Sequence, residues 1–168
     1  MRFNFNWQGV MGPILRGLFI FIVFFSILEA YSQEVKIKGL TYQRYEGETL
    51  VWKLISQEFS KEGEERFWAQ KVYLENLPKG IKIFADSALY LAKEEKFLLK
   101  GKVKLITEKE GEVYTEELIF YPKRDFLQAP GQVLIKKDKF EVSGEGLSYD
   151  ISQGGFKLHK KARAQFKL

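Results

Sequence analysis

The sequence of 168 residues has no cysteine, a single histidine (His159), four prolines and no low-complexity stretch. The missing thiols exclude disulfide scaffolds, cysteine nucleophiles and zinc fingers, and one imidazole leaves nothing for a histidine-based metal cluster. His159 alternates outward between Leu158 and Lys160, which reads as an exposed residue rather than a catalytic base. Glu62, Glu64 and Glu65 near Glu58 form a charged turn with nothing around them to shift a carboxyl pKa, so they do not read as an acid and base pair. The chain does not read as an enzyme and needs no cofactor.

A dominant charge is also lacking. Its 27 basic and 22 acidic side chains leave a net charge of +5 on a surface dense in both signs. A nucleic-acid binder would show a basic stripe interleaved with exposed aromatics and a cytosolic address. No nucleic acid is expected as a partner.

What the chain does have is one uncharged apolar run, Gly17 to Leu28 (GLFIFIVFFSIL), preceded by Arg2 and Arg16 and followed by Glu29. Positive charge ahead of the run keeps the N-terminus in the cytoplasm and sends everything after Glu29 across the membrane. Twelve helical residues reach only about 18 Å, against a hydrocarbon core of about 30 Å. Two readings stay open for residues 1–33. Val10 to Leu15, a snorkelling Arg16 and Ala30-Tyr31 extend the run to a retained single-pass anchor, whereas Ala30-Tyr31-Ser32 also offers a leader-cleavage site before Gln33. Either way residues 34–168 are exported as one domain, with no linker in sight.

That domain is all-β by pattern. Phe97, Leu99, Gly101, Val103, Leu105 and Thr107 alternate with a face holding Lys100, Lys102 and Lys104. The same period of two recurs at Leu50, Trp52, Leu54; at Val72, Leu74; at Ile81, Ile83, Ala85; at Val133, Ile135; at Phe140, Val142; and at Phe156, Leu158 then Ala162, Ala164, Phe166. Helical spacing fits only Phe59 to Trp68, and poorly. Charged or glycine-bearing turns separate the segments, and Phe97, Phe126 and Phe156 each follow one, at intervals of 29 and 30 residues. A hairpin is being repeated. The expected architecture is an antiparallel sandwich or rolled jellyroll whose first and last strands, Val35 to Tyr45 and Phe156 to Phe166, are open edges.

In this order, Leu50 to Ser56 (LVWKLIS), Ile83 to Ala88 (IFADSA), Leu99 to Val103 (LKGKV), Gln128 to Val133 (QAPGQV) and Val142 to Leu147 (VSGEGL) resemble the LptC family of lipopolysaccharide-export proteins and the related OstA-like jellyrolls. The likeness covers roughly residues 40 to 166. It implies an open β-jellyroll behind one membrane anchor in the inner membrane, with the domain in the periplasm. It implies a partner set too: lipopolysaccharide, an LptB2FG-like inner-membrane ABC transporter that extracts it, and an LptA-like periplasmic jellyroll that receives it. A soluble LptA-like bridge, after cleavage near Ser32, is the alternative.

Twelve residues point inward by alternation and are candidates to line a lipid path: Trp52, Leu54, Trp68, Val72, Ile83, Phe97, Leu99, Val103, Val133, Phe140, Val142 and Phe156. An ordinary dry core accounts for each of them equally well. The resemblance singles out Trp68 and Phe156 as aligned with lipid-contacting positions. Gly131, after Pro130 in mid-strand, marks a bulge or close backbone approach and matches a glycine that the family retains, so substitution there is expected to disturb docking. On the last strand, Leu158, Ala162, Ala164 and Phe166 are expected to meet the next jellyroll through the open edge, or else Lys157, Lys160, Lys161, Arg163 and Lys167 are gatekeepers that prevent pairing.

Overall fold

Over residues 35–166, long runs of β-branched and aromatic residues, cut by short charged turns, give strands and nothing else of length. The computed structural model describes residues 35–166, and the apolar run of residues 17–28 lies outside them. Nine strands follow in order: β1 (Val35–Glu46), β2 (Thr49–Glu62), β3 (Arg66–Asn76), β4 (Ile81–Leu91), β5 (Lys96–Thr107), β6 (Gly111–Tyr121), β7 (Phe126–Lys137), β8 (Phe140–Asp150) and β9 (Phe156–Phe166). A single 3-10 turn, Pro122–Arg124, joins β6 to β7. Phe59 to Trp68, the one segment with helical spacing, is the β2–β3 hairpin. Among the described residues no helix is long and apolar enough to cross a membrane.

The strands form one continuous antiparallel meander, β1 to β9 in sequence order, rather than two separate sheets. This single sheet is folded over. Trp52 on β2 and Phe120 on β6 have ring centroids 4.5 Å apart. Four strand spacings across a flat sheet would hold them about 19 Å apart. Folding brings the two halves of the inner face together around one core cluster that runs from Trp52 on β2 to Tyr149 on β8.

The fold-over is written into the strands as a crease. Left-handed backbone at Lys71 (φ 50°), Gly101 (φ 77°), Lys102 (φ 46°), Gly146 (φ 72°) and Lys161 (φ 52°) falls in mid-strand, where L-residues are rarely found. The pairing registers slip between Phe84 and Ser87, Lys100 and Val103, Thr115 and Ile119, Ala129 and Gln132, and Ser143 and Glu145. Lys71, Asp86, Gly101, Glu116, Gly131, Gly146 and Lys161 thus mark the break at a constant interval of fifteen residues. An extra residue at such a break bends and twists the strand. On β3, β4, β6 and β8 it also changes which parity faces inward, so that β4 buries Ile81, Ile83 and Ala85 before the break and Ala88 after it, whereas β5 and β7 keep the same parity on both sides.

Charge pairs run along the outside of the crease. Lys71 Nζ lies 2.7 Å from Asp86 Oδ1, Lys161 Nζ 2.9 Å from Glu145 Oε2, and Lys100 Nζ 3.5 Å from Glu117 Oε2. The hydrogen bond from Lys71, then its charge, holds the Asp86 carboxyl below its usual range. Asp86 also closes over Gly101, where an added Cβ would sit 2.9 Å from Asp86 Oδ2.

The core is densest at β5 to β8. Leu99, Val113, Leu118, Leu127, Ala129 and Leu147 have no exposed surface. Gly131, by contrast, is exposed at its break, with no atom within 4 Å of an added Cβ. The bulge expected at Pro130-Gly131 is therefore present, and Pro130 sits where its missing N–H costs no ladder bond. Within this domain the glycine is not required for close packing, so docking disturbance on its substitution has no internal cause.

Gly101→Ala is expected to lower stability by about 1–3 kcal/mol, through strained backbone and the contact with Asp86, whereas Gly131→Ala changes it by less than about 0.5 kcal/mol. Urea unfolding of both variants checks this. A carboxyl whose folded-state pKa is lowered stabilises above the unfolded value and ceases to do so as pH falls through the folded one. The melting-temperature gap between wild type and Asp86→Asn should accordingly be present at pH 7 and vanish near pH 2.

Candidate functional site

The inner face is aromatic in a continuous row. Phe59, Phe67, Tyr90, Phe97 and Phe120 follow one another across β2 to β6, with centroid separations of 5.9, 6.0, 4.6 and 6.0 Å. Strand register places them side by side: Phe67 opposite Tyr90, Tyr90 opposite Phe97, Phe97 opposite Phe120. One row nearer the crease, between Phe59 and Leu99, stand two small residues, Ala69 opposite Ala88. Small residues behind large ones leave space.

That space is a cleft of about 550 Å³, within the usual range for a ligand site. Its walls are the inner faces of β1 and β2 (Leu40, Tyr42, Trp52, Leu54) and of β3 to β6 (Phe67, Ala69, Leu74, Ala88, Tyr90, Phe97, Phe120), with Phe59 between. Four of the lining residues are charged: Arg44, Lys53, Glu95 and Lys123. Arg44 reaches Glu46 Oε1 at 2.7 Å, and Lys123 pairs with Glu95 across the β4–β5 and β6–β7 turns. The Glu95 carboxylate holds Lys123 above the ordinary lysine range. Among the described residues no group of three or more His, Asp or Glu side chains could hold a metal ion.

Of the twelve inward candidates, the structure brings only Trp52, Leu54 and Phe97 to the cleft. Val72, Ile83, Leu99, Val103 and Val133 are packed in the core at 3% exposure or less. Val142 and Phe156 are half-buried near the far end of the sheet, where Phe156 meets the Tyr149 ring at 4.9 Å.

Two candidates do not point into the interior. Trp68 is 39% exposed, with its Nε1–H donated to Glu62 Oε2 at 3.1 Å and Arg66 over its ring. Counting back in twos from Leu74 and Val72 puts Trp68 inside, but the break at Lys71 inverts the phase, so Ala69 and Phe67 turn inward instead. Phe140 shares the parity of Val142 but sits at the strand end, 55% exposed, where it packs edge-on against Phe166 at 4.9 Å.

Pattern reading also missed wall residues: Leu40, Tyr42, Phe59, Phe67, Ala69, Ala88, Tyr90 and Phe120. Restarting the period of two at the Lys71 break recovers Phe67 and Ala69 alongside Val72 and Leu74, and at the Asp86 break it recovers Ala88 and Tyr90 alongside Ile81 and Ile83. On the last strand, Leu158 is half-buried while Ala162, Ala164 and Phe166 are exposed. His159 is exposed, as its alternation predicts.

A creased antiparallel meander with both edge strands open and a greasy cleft between its halves defines an open β-jellyroll. The family model for LptC-related lipopolysaccharide-assembly proteins matches residues 69–167, and the chain belongs to that family. Its members take part in lipopolysaccharide transport. A comparison with curated proteins finds no match.

Phe120→Ala should cost about 3–5 kcal/mol, because this ring is 2% exposed and closes on Trp52, while Trp68→Ala should cost about 1 kcal/mol or less. Thermal melts of the two variants distinguish a wall residue from a surface one.

Proposed function

We propose that this chain carries lipopolysaccharide across the periplasm, sheltering acyl chains in the cleft and changing no covalent bond. One observation carries this reading: a largely apolar cleft of about 550 Å³, walled by an aromatic row, with Glu95 and Lys123 on the turns at the end of that row. Each methylene that moves from water into such a wall gains about 0.8 kcal/mol, which suits long alkyl chains and no polar substrate. The rim would leave a sugar head in water.

In this reading residues 1–33 anchor the chain in the inner membrane with its N-terminus cytoplasmic, and the described domain stands in the periplasm. An inner-membrane ABC transporter of the LptB2FG type supplies lipid at the β1 end. Among the described residues β1 and β9 each pair on one side only, which leaves two edges to accept strands from neighbouring jellyrolls. The β9 edge, with Leu158, Ala162, Ala164 and Phe166, serves the LptA-like recipient. Gly131 is on the third strand from that edge and exposed, available to a partner rather than needed by the sheet.

A photo-crosslinking side chain at Tyr42 or Phe67 of the full-length chain should capture lipopolysaccharide in membranes supplied with ATP, and the same probe at Trp68 should not. Capture at Trp68 with none at Tyr42 and Phe67 would move the lipid path to the outer face and defeat the proposal.

A further inference from the structure

Polar side-chain atoms buried among the described residues are few, and most are satisfied. Asn76 Oδ1 accepts from Lys79 N at 3.0 Å, Thr107 Oγ1 accepts from Glu110 N at 2.9 Å, and Thr115 Oγ1 donates to Gln132 O at 2.9 Å. Trp52 Nε1 and Ser56 Oγ have no partner. Trp52 is 4% exposed and forms part of the cleft wall. A buried indole N–H ordinarily finds an acceptor, and leaving one unpaired is costly. The ring packed against it at 4.5 Å, Phe120, carries no acceptor oxygen or nitrogen.

The position of this N–H in the cleft narrows what could meet it. Trp52 lies in the half of β2 far from the crease, opposite Arg44 of β1 and against Phe120, so it stands near the charged rim. The small pair Ala69 and Ala88 lies deeper, nearer the crease. An alkyl chain entering from the rim therefore places its tail by the alanines and its first linkage atoms beside the indole.

We infer that Trp52 is a polar anchor within the apolar cleft, its Nε1–H donating a hydrogen bond to an acceptor oxygen at the head end of the bound chain, the carbonyl of an acyl ester or amide. The nitrogen is buried from solvent, so the indole tilts away from Phe120 as the chain enters and exchanges a ring contact for a hydrogen bond. The site thereby prefers acyl chains to plain alkyl chains. This rests on the reading of the cleft as a lipid-chain site and adds a chemical selectivity to it.

Two matched glycerolipids test the inference, 1-monolauroylglycerol and 1-O-dodecylglycerol, which share head and chain length and differ in one carbonyl. Titrated into the full-length chain in nanodiscs, the ester should bind about fivefold more tightly than the ether, the scale of one net hydrogen bond. Trp52→Phe, which keeps an aromatic ring and loses the N–H, should bind both with the affinity of the ether. The Trp52 indole proton resonance of the wild type should move downfield with the ester and not with the ether, which settles the matter even if the variant fails to fold. Equal binding of both lipids to wild type overturns the anchor and leaves the cleft reading standing; binding of neither overturns both. An equal loss of both lipids in a folded Trp52→Phe protein assigns the ring to packing alone and also overturns the anchor.

Discussion

Everything in this domain depends on a break in the middle of the strands from β3 to β9. A nine-stranded flat meander would expose one whole apolar face. The row of breaks from Lys71 to Lys161 lets that face close on itself, and the constant interval of fifteen residues keeps the breaks adjacent across the sheet so that they add into one crease. Backbone strain at Lys71, Lys102 and Lys161 is tolerated because the burial it permits, from Trp52 to Tyr149, far exceeds it. The ion pairs outside the crease, Lys71 with Asp86 and Lys161 with Glu145, are exposed and contribute little energy; they place opposite charges where bent strands bring side chains together.

Closure is uneven along the sheet. At β5 to β8 aliphatic residues pack the interior, with Leu99, Leu118, Leu127 and Leu147 sealed from solvent. Toward β1 and β2 the facing residues are rings with alanines behind them, and rings set on one row cannot fill the row behind. The Trp52–Phe120 contact marks the boundary between the two regimes. A domain with one continuous inner face thus has a solid part and a hollow part, decided by the sizes of side chains at equivalent register positions.

Much of this was legible in the sequence. Strand periodicity, the charged turns and the 30-residue hairpin repeat gave the all-β class, the open edges and the family likeness. The repeat, however, is two strands of fifteen, and its half-period hides the phase inversion. Carried across a break, an alternation count sends Trp68 inward and leaves Phe67 out. Whether an inward residue lines a void or a core is also beyond pattern: Leu54 and Leu99 read alike, yet Leu54 borders the cleft and Leu99 is sealed in the core. Residues 1–33, with their anchor or leader, lie outside the described residues.

The sheet order has a consequence for how the domain assembles. Every strand pairs only with its neighbours in sequence, so each ladder closes a short loop and none waits for a distant segment. Such a sheet can grow hairpin by hairpin as the chain emerges, in the manner of a repeat protein whose units each bury surface on the last. Its cooperativity then comes from the crease, since inner-face burial across the fold joins strands that never share a hydrogen bond. A lesion at the crease should turn one all-or-none unfolding step into successive ones, fraying from the ends toward β5.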